Sequence, residues 1–286
     1  MADIRLIRRR IRAIQNTAKI TRAMEMIATS KMRRAQEAGL AGRPYAEKIH
    51  QVLADLAALP RQGAPLHPLL QQRPVNKIAI VHITPDRGLC GGLHANINRM
   101  TASFILQQSV SVTLTVVGRK GLDFMRRYGR DIRAEFTRLG DRPSLMDTLP
   151  ISRVIIDDYT NGFIDLVYLA YAQFISTTIQ RPILQQVLPV EPAAIPRAQN
   201  VDYIYEPGSA HVLGALLPRF VEMQVYHAIL QSIASEQSAR VVAMRNATDN
   251  ANELIQDLTL LYNKARQESI TEELLDITGG AAALTR

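Results

Sequence analysis

Apolar residues recur at helical spacing along both ends of the chain. Near the N-terminus, Ile4, Ile7, Ile11, Ile14, Ala18 and Thr21 alternate steps of three and four, which places them on one face of a helix. The apolar phase then moves to Ile20, Met24 and Ile27, so the stripe is expected to rotate partway along the helix. Gly39, Gly42 and Pro44 weaken the pattern, which resumes through Ile49, Val52, Leu53 and Leu56. This predicts one helix to about residue 58 with a kink near Pro44, and Asp3 at or beside its N-cap.

The C-terminal pattern is longer. Leu213, Phe220, Ala234, Val241, Ile255 and Tyr262 share one seven-residue register, with His227 and Thr248 as polar members. Leu216, Met223, Leu230, Met244, Ala251, Leu258 and Ala265 fill the companion register, with Gln237 polar. That is about eight heptads. A 60-residue helix is about 90 Å long, more than a compact domain of this size can bury. Two long helices with matching stripes most simply pair as a coiled coil, in either orientation. Much of the surface of such a rod is polar, with nothing in the chain expected to cover it.

Glycine and proline separate these ends from the middle. Residues 1–38 and 219–278 contain neither, and all 14 prolines fall between Pro44 and Pro218. Lys77–Thr84 and Val110–Val117 are β-rich, and Asp165–Ile175 and Ile183–Val190 are further strand candidates. Helical patterns lie between them at about 92–108, 120–129 and 150–162. Alternating strands and helices predict a mostly parallel sheet covered on its faces. Pro189, Pro192 and Pro196 mark an exit linker. The expected organisation is an N-terminal helix over 1–58, an α/β domain over 75–200 and a C-terminal helix over 208–286.

Charge sharpens the picture. The net charge is +8, and residues 1–34 alone, with ten basic residues against Asp3 and Glu25, account for it. A basic end points to an anionic partner: nucleic acid, lipid headgroups or an acidic protein surface. A nucleic-acid role is disfavoured because the arginines interleave with an apolar stripe and lack stacking aromatics. Cys90 is the only cysteine, so no disulfide can form within the chain. No apolar run is long enough to span a membrane. The Arg-rich start raises a transit peptide as an alternative, weakened by how far the amphipathic pattern continues.

Catalytic chemistry is hard to find. The most enzyme-like stretch is Asp86-Arg87-Gly88-Leu89-Cys90-Gly91-Gly92, between a strand and a helix, where phosphate-binding loops sit. It lacks both phosphate-loop glycine spacings and a following Lys-Ser or Lys-Thr, so a tight turn is the better reading. Cys90 lies just before a helix, without a nominated base, and reads as a small turn or core residue. The six histidines show no metal-binding spacing. Asp157-Asp158 reads as a solvated helix face.

Several of these stretches resemble one family. Ile14–Met26 (IQNTAKITRAMEM), Ala28–Met32, Arg43–Ala46, the Asp86–Leu93 loop (DRGLCGGL), Ala234–Arg240 (ASEQSAR), Met244–Asn250, Tyr262–Gln267 and Ser269–Thr271 look like the gamma subunits of F-type ATP synthases. The resemblance runs in order along the whole chain.

It implies an α/β architecture: a long antiparallel two-helix coiled coil formed by the N- and C-terminal helices, plus a central Rossmann-like α/β domain. It implies a non-catalytic central rotor stalk without cofactor, coupling proton- or sodium-driven rotation to ATP synthesis or hydrolysis. The implied partners are a ring of three alpha and three beta subunits, the epsilon subunit and the membrane c-ring, with no nucleic acid. The implied location is peripheral, on the cytoplasmic face of a bacterial cell membrane, with membrane association only through the complex. Carried over residue by residue, Met24, Arg240, Gln267, Thr271 and Glu273 are expected to contact the ring. Lys31, Arg33 and Arg34 are expected to add electrostatic contacts, and Tyr203 and Glu206 to touch epsilon and the c-ring. The small apolar tail Gly279–Leu284 is expected in a hydrophobic bearing. Chloroplast-type members carry a regulatory cysteine pair, which a lone Cys90 excludes.

Overall fold

A computed structural model describes residues 2–58, 67–190, 206 and 208–284. It divides into two units, Thr29–Arg240 and a second made of Met1–Ala28 with Val241–Arg286. Helices α1 (Ala2–Ala41) and α6 (Ser209–Leu284) contribute to both.

The unit Thr29–Arg240 is built on a five-stranded sheet. Its strands are β1 (Lys77–Ile83), β2 (Ser111–Val117), β3 (Ile132–Phe136), β4 (Leu166–Phe174) and β5 (Gln180–Leu188), in the order β3-β2-β1-β4-β5. The first four pair in parallel, and β5 pairs antiparallel with β4. Ile78 through Ile83 on β1 are all fully buried, as expected of a central strand covered on both faces. On one face lie α3 (Leu93–Gln107) and α4 (Arg119–Arg127), whose Ile105, Leu122 and Met125 pack on Ile78, Ile80, Leu114 and Val116. The other face carries α5 (Leu145–Thr160) and the first half of α6.

That second face corrects the expectation of an uncovered rod. Leu217, Val221, Val225 and Ile229 recur every four residues on α6 and are at most 2% exposed, packed with Ile151, Ile155, Val167 and Leu169. The chain's own sheet covers the front half of the long helix.

Several elements differ from the sequence reading. The helix break falls at Gly42, immediately before α2 (Arg43–Ala58), close to the kink expected near Pro44, which sits in the first turn of α2. Helix α1 begins at Ala2, so Asp3, expected at or beside the N-cap, falls within its first turn. Helix α5 begins at Leu145 because Ser144 and Asp147 form a reciprocal capping box, and it carries Pro150 in its interior. Strand β3 was absent from the sequence reading, and β5 starts three residues early because an edge strand tolerates Pro182. Of the linker prolines, Pro192 and Pro196 lie outside the described residues; the Leu188–Pro189 bond is cis.

In the second unit, α1 and α6 pair directly. Arg8 donates to the Tyr262 hydroxyl, Thr21 and Thr248 share a hydrogen bond of 2.7 Å, and Arg245 meets Glu25 at 2.9 Å. Partners climb α1 as they descend α6, so the helices run antiparallel. Ile4, Ile7, Ile11, Ile14, Ala18 and Thr21 are withdrawn from solvent, as are Val241, Met244, Thr248, Ala251, Ile255, Leu258, Tyr262 and Ala265 on α6. Ala28 continues the inner stripe at 1% exposure, while Ile20 and Ile27 are 60% and 56% exposed. The stripe therefore does not rotate. It keeps its seven-residue step through Ile7, Ile14, Thr21 and Ala28, the signature of a left-handed pair.

Candidate partner-binding surface

The loop between β1 and α3 is a brace. Asp86 Oδ1 accepts the Arg119 backbone N–H at 3.0 Å, and Oδ2 accepts that of Arg138 at 2.9 Å. The Gly88 carbonyl accepts from Arg240 Nη2 at 3.1 Å. Cys90 is fully buried, and that burial pushes its thiol above the usual range, with Glu236 adding to the shift. Carboxylate, carbonyl and thiol are thus all committed within the chain. Nearby Gly118, at φ +91°, is required where β2 passes β1: a Cβ there would stand 1.9 Å from the Thr84 carbonyl oxygen.

Two polar groups inside this unit are equally committed. His82 Nε2 meets Asn98 Oδ1 at 2.8 Å and its Nδ1 meets the Thr101 hydroxyl at 3.1 Å. Burial holds the ring neutral, its pKa lowered from 6.5 to about 4. Asp158, read from sequence as solvated, is buried and bidentate to Arg133, with both contacts at 3.1 Å. Asp157 beside it is the exposed one.

The residues singled out from sequence fall into two groups. In the helical pair, Met24 is half-buried beside the Glu25–Arg245 bridge. Gln267, Thr271 and Glu273 are exposed on α6, and the Thr271 hydroxyl donates to the Gln267 carbonyl at 2.9 Å. Arg245 and Gln267 are about 33 Å apart along the helix, so Met24 and this trio form separate patches. Gln267 and Thr271 share a face, whereas Glu273 points about 160° away from Thr271. A partner touching all three must reach round the helix.

In the sheet-containing unit, Lys31 bridges Asp141 at 2.6 Å, Arg33 bridges Glu37 at 3.1 Å and Arg34 donates to Ser30 at 2.8 Å. Arg240 is withdrawn, its side chain 11% exposed, and clasps Glu236 at 2.7 Å as well as Gly88. Burial raises the Glu236 carboxyl pKa, and the Arg240 charge opposes that shift. Glu206 is exposed, and Tyr203 lies outside the described residues.

Sequence reasoning missed the outward apolar residues of the pair. Leu6, Ile20, Met26 and Ile27 on α1, and Leu254, Leu260, Leu261, Ile270, Leu274, Leu275 and Ile277 on α6, are each 48% exposed or more. Uncovered aliphatic surface of this extent is the kind that partner proteins bind. Subtracting the heptad stripe from the apolar residues would have revealed it.

A family model described as ATP synthase matches residues 3–284. An ATP synthase gamma chain of Dehalococcoides mccartyi is 70% identical over 284 residues, covering 99% of this chain and all of that one. The chain belongs to the ATP synthase gamma-chain family. A second gamma chain, from Herpetosiphon aurantiacus, is 50% identical over 295 residues and covered in full on both sides. Among solved structures, a chain of the Euglena gracilis mitochondrial ATP synthase (OSCP/F1/c-ring) aligns with a TM-score of 0.70 at 18% identity, covering 99% of this chain and 95% of that one. A chain from the central stalk and c-ring of the Tetrahymena thermophila enzyme aligns at 0.62 with 23% identity, covering 80% of this chain and 99% of that one. These likenesses establish the gamma-chain fold: an antiparallel pair of terminal helices with a central α/β domain. No described helix of this gamma-family chain is long and apolar enough to cross a membrane.

Proposed function

We propose that the chain is the non-catalytic central rotor of a bacterial F-type ATP synthase. It couples ion-driven turning of a c-ring to ATP synthesis or hydrolysis in the beta subunits of a surrounding alpha–beta ring. It sits at the cytoplasmic face of the cell membrane, held there only through the complex. The observation that carries this reading is the chemistry of the helical pair. The inner stripe is satisfied by the two helices themselves, yet aliphatic side chains remain exposed on both of them.

Ring contacts follow from the exposed positions. Met24, Gln267, Thr271 and Glu273 meet the ring from the pair, with the aliphatic residues beside them. Lys31, Arg33 and Arg34 add weak, salt-sensitive attraction, since their charges are partly spent on their own neighbours. Arg240 acts with the Gly88 loop it holds, not as a free cation. Tyr203 and Glu206 belong to the foot that meets epsilon and the c-ring. Many weak contacts suit a rotating interface, because none becomes a deep trap. A single asymmetric rotor also presents a different face to each beta subunit, and so biases identical sites differently.

A nucleotide enzyme built on the Asp86 loop is the competing reading. It is disfavoured because Asp86, Gly88 and Cys90 are already used to brace the fold.

The test is reconstitution with purified alpha and beta subunits. The full chain alone is expected to hydrolyse no ATP, and addition of alpha and beta to give sustained turnover that copurifies with it. The double variant Leu274→Glu/Ile277→Glu should keep the melting temperature of the free chain and bind the ring more weakly. ATP turnover by the chain alone, or an unchanged affinity in that variant, would contradict the proposal.

A further inference from the structure

On the rotor reading, torque entering at the sheet reaches the helical pair through α1 and α6, and α6 is the longer of the two. The fastening of α6 to the sheet changes character along the helix. Over Leu217, Val221, Val225 and Ile229 it is mainly apolar and buried, with one side-chain hydrogen bond, from Gln185 Nε2 on β5 to Gln224 Oε1 at 3.3 Å. Burial of that kind resists separation, but it is non-directional, so it opposes twisting and sliding only weakly.

From Gln231 to Arg240 the contact becomes a row of hydrogen bonds. The Phe174 backbone N–H donates to Gln231 Oε1 at 3.1 Å. The Ser235 hydroxyl donates to the Ala172 carbonyl at 2.9 Å. The Ser238 hydroxyl donates to the Thr177 carbonyl at 2.7 Å and accepts from Gln180 Nε2 at 3.1 Å. Arg240 reaches the Gly88 carbonyl. Ser235, Ser238 and Ala172 are 0% exposed, so breaking the Ser235 bond leaves a buried carbonyl without its donor, whereas the Ser238 bond ends on exposed Thr177. The acceptors lie on two separate segments, β4 with its hairpin and the loop after β1. Hydrogen bonds fix direction as well as distance. Two anchor segments therefore set both the rotation of α6 about its axis and its position along it.

We propose that Ser235 and Ser238, flanked by Gln231 and Arg240, are positioning residues that clamp α6 to the sheet and carry torque between them. This rests on the rotor reading above. Serine is an unremarkable choice for a helix interior, and alanine would be the better helix former. The hydroxyls are explained by what they hold.

The test uses the whole ATP synthase in liposomes, with ions pumped per ATP hydrolysed as the readout. Ser235→Ala/Ser238→Ala should lower that ratio severalfold, while ATP hydrolysis and the amount of the chain in the complex stay near wild type. Each single variant, keeping one hydroxyl, should fall between. A purely structural role predicts a lower melting temperature with the ratio unmoved, and an unmoved ratio in the assembled complex overturns the clamp. Should the double variant fail to assemble, Gln231→Met removes one acceptor at a half-exposed position and must show a smaller loss of the same kind, or the clamp is overturned. Failure of the wild-type chain to join an alpha–beta ring would remove the rotor reading and the clamp together.

Discussion

His82 shows how one buried side chain ties stability to pH. Folded, it stays neutral until about pH 4, whereas the unfolded residue takes up its proton near 6.5. Between those values the unfolded state binds more protons, so stability falls as pH drops through the window and is flat above it. The loss is up to about 3 kcal/mol. The wild-type melting temperature should therefore decline from pH 6.5 to 4, and that of His82→Gln should decline less. Equal slopes would show that His82 is not the titrating group. Nothing in the sequence marks His82, since one polar residue in an apolar strand looks the same whether its side chain is solvated or enclosed. Gly121 supplies the enclosure: a Cβ there would sit 2.7 Å from the imidazole. Asp158 escaped for a related reason, because its partner Arg133 stands on a strand absent from the sequence reading.

Among the elements, the longest were the most legible. The heptad stripes of α6 are withdrawn from solvent at every position named from sequence, including polar His227, Gln237 and Thr248. The parallel sheet and its covering helices follow from the alternation of strand and helix patterns. Strand β3 was not legible: five residues with an alternating, half-polar face carry little signal. The start of α5, expected at about 150, could have been read from Ser144 and Asp147. On α1 hydropathy misled, because the heavy side chains Ile20 and Ile27 outweigh small Ala28. Close approach of the two helices favours the small residue inside. Ala28→Leu should thus cost about 1–3 kcal/mol by overpacking, whereas Ile27→Ser should change stability by about 0.5 kcal/mol or less. Thermal unfolding of both variants checks the assignment, and the reverse order would restore a rotated stripe.

For the whole molecule, the physics of the chain and its family membership meet at the helical pair. Periodicity alone left the orientation of the helices open, since a stripe has no direction. The side-chain pairs Arg8–Tyr262, Thr21–Thr248 and Glu25–Arg245 give that direction. The proposed partner contacts rest on resemblance, because exposed Gln267, Thr271 and Glu273 look like any solvated helix face. The outward aliphatic surface gives them a physical setting.

If the pair turns as one shaft, its helices never need to separate during turnover. Thr21 and Thr248 offer the place to ask, with hydroxyls 2.7 Å apart. The most direct measurement is ATP hydrolysis by the assembled complex carrying Thr21→Cys/Thr248→Cys and Cys90→Ala, before and after oxidation to a disulfide. The rotor account predicts that the rate survives oxidation. A rate abolished by oxidation and restored by a reductant would contradict it.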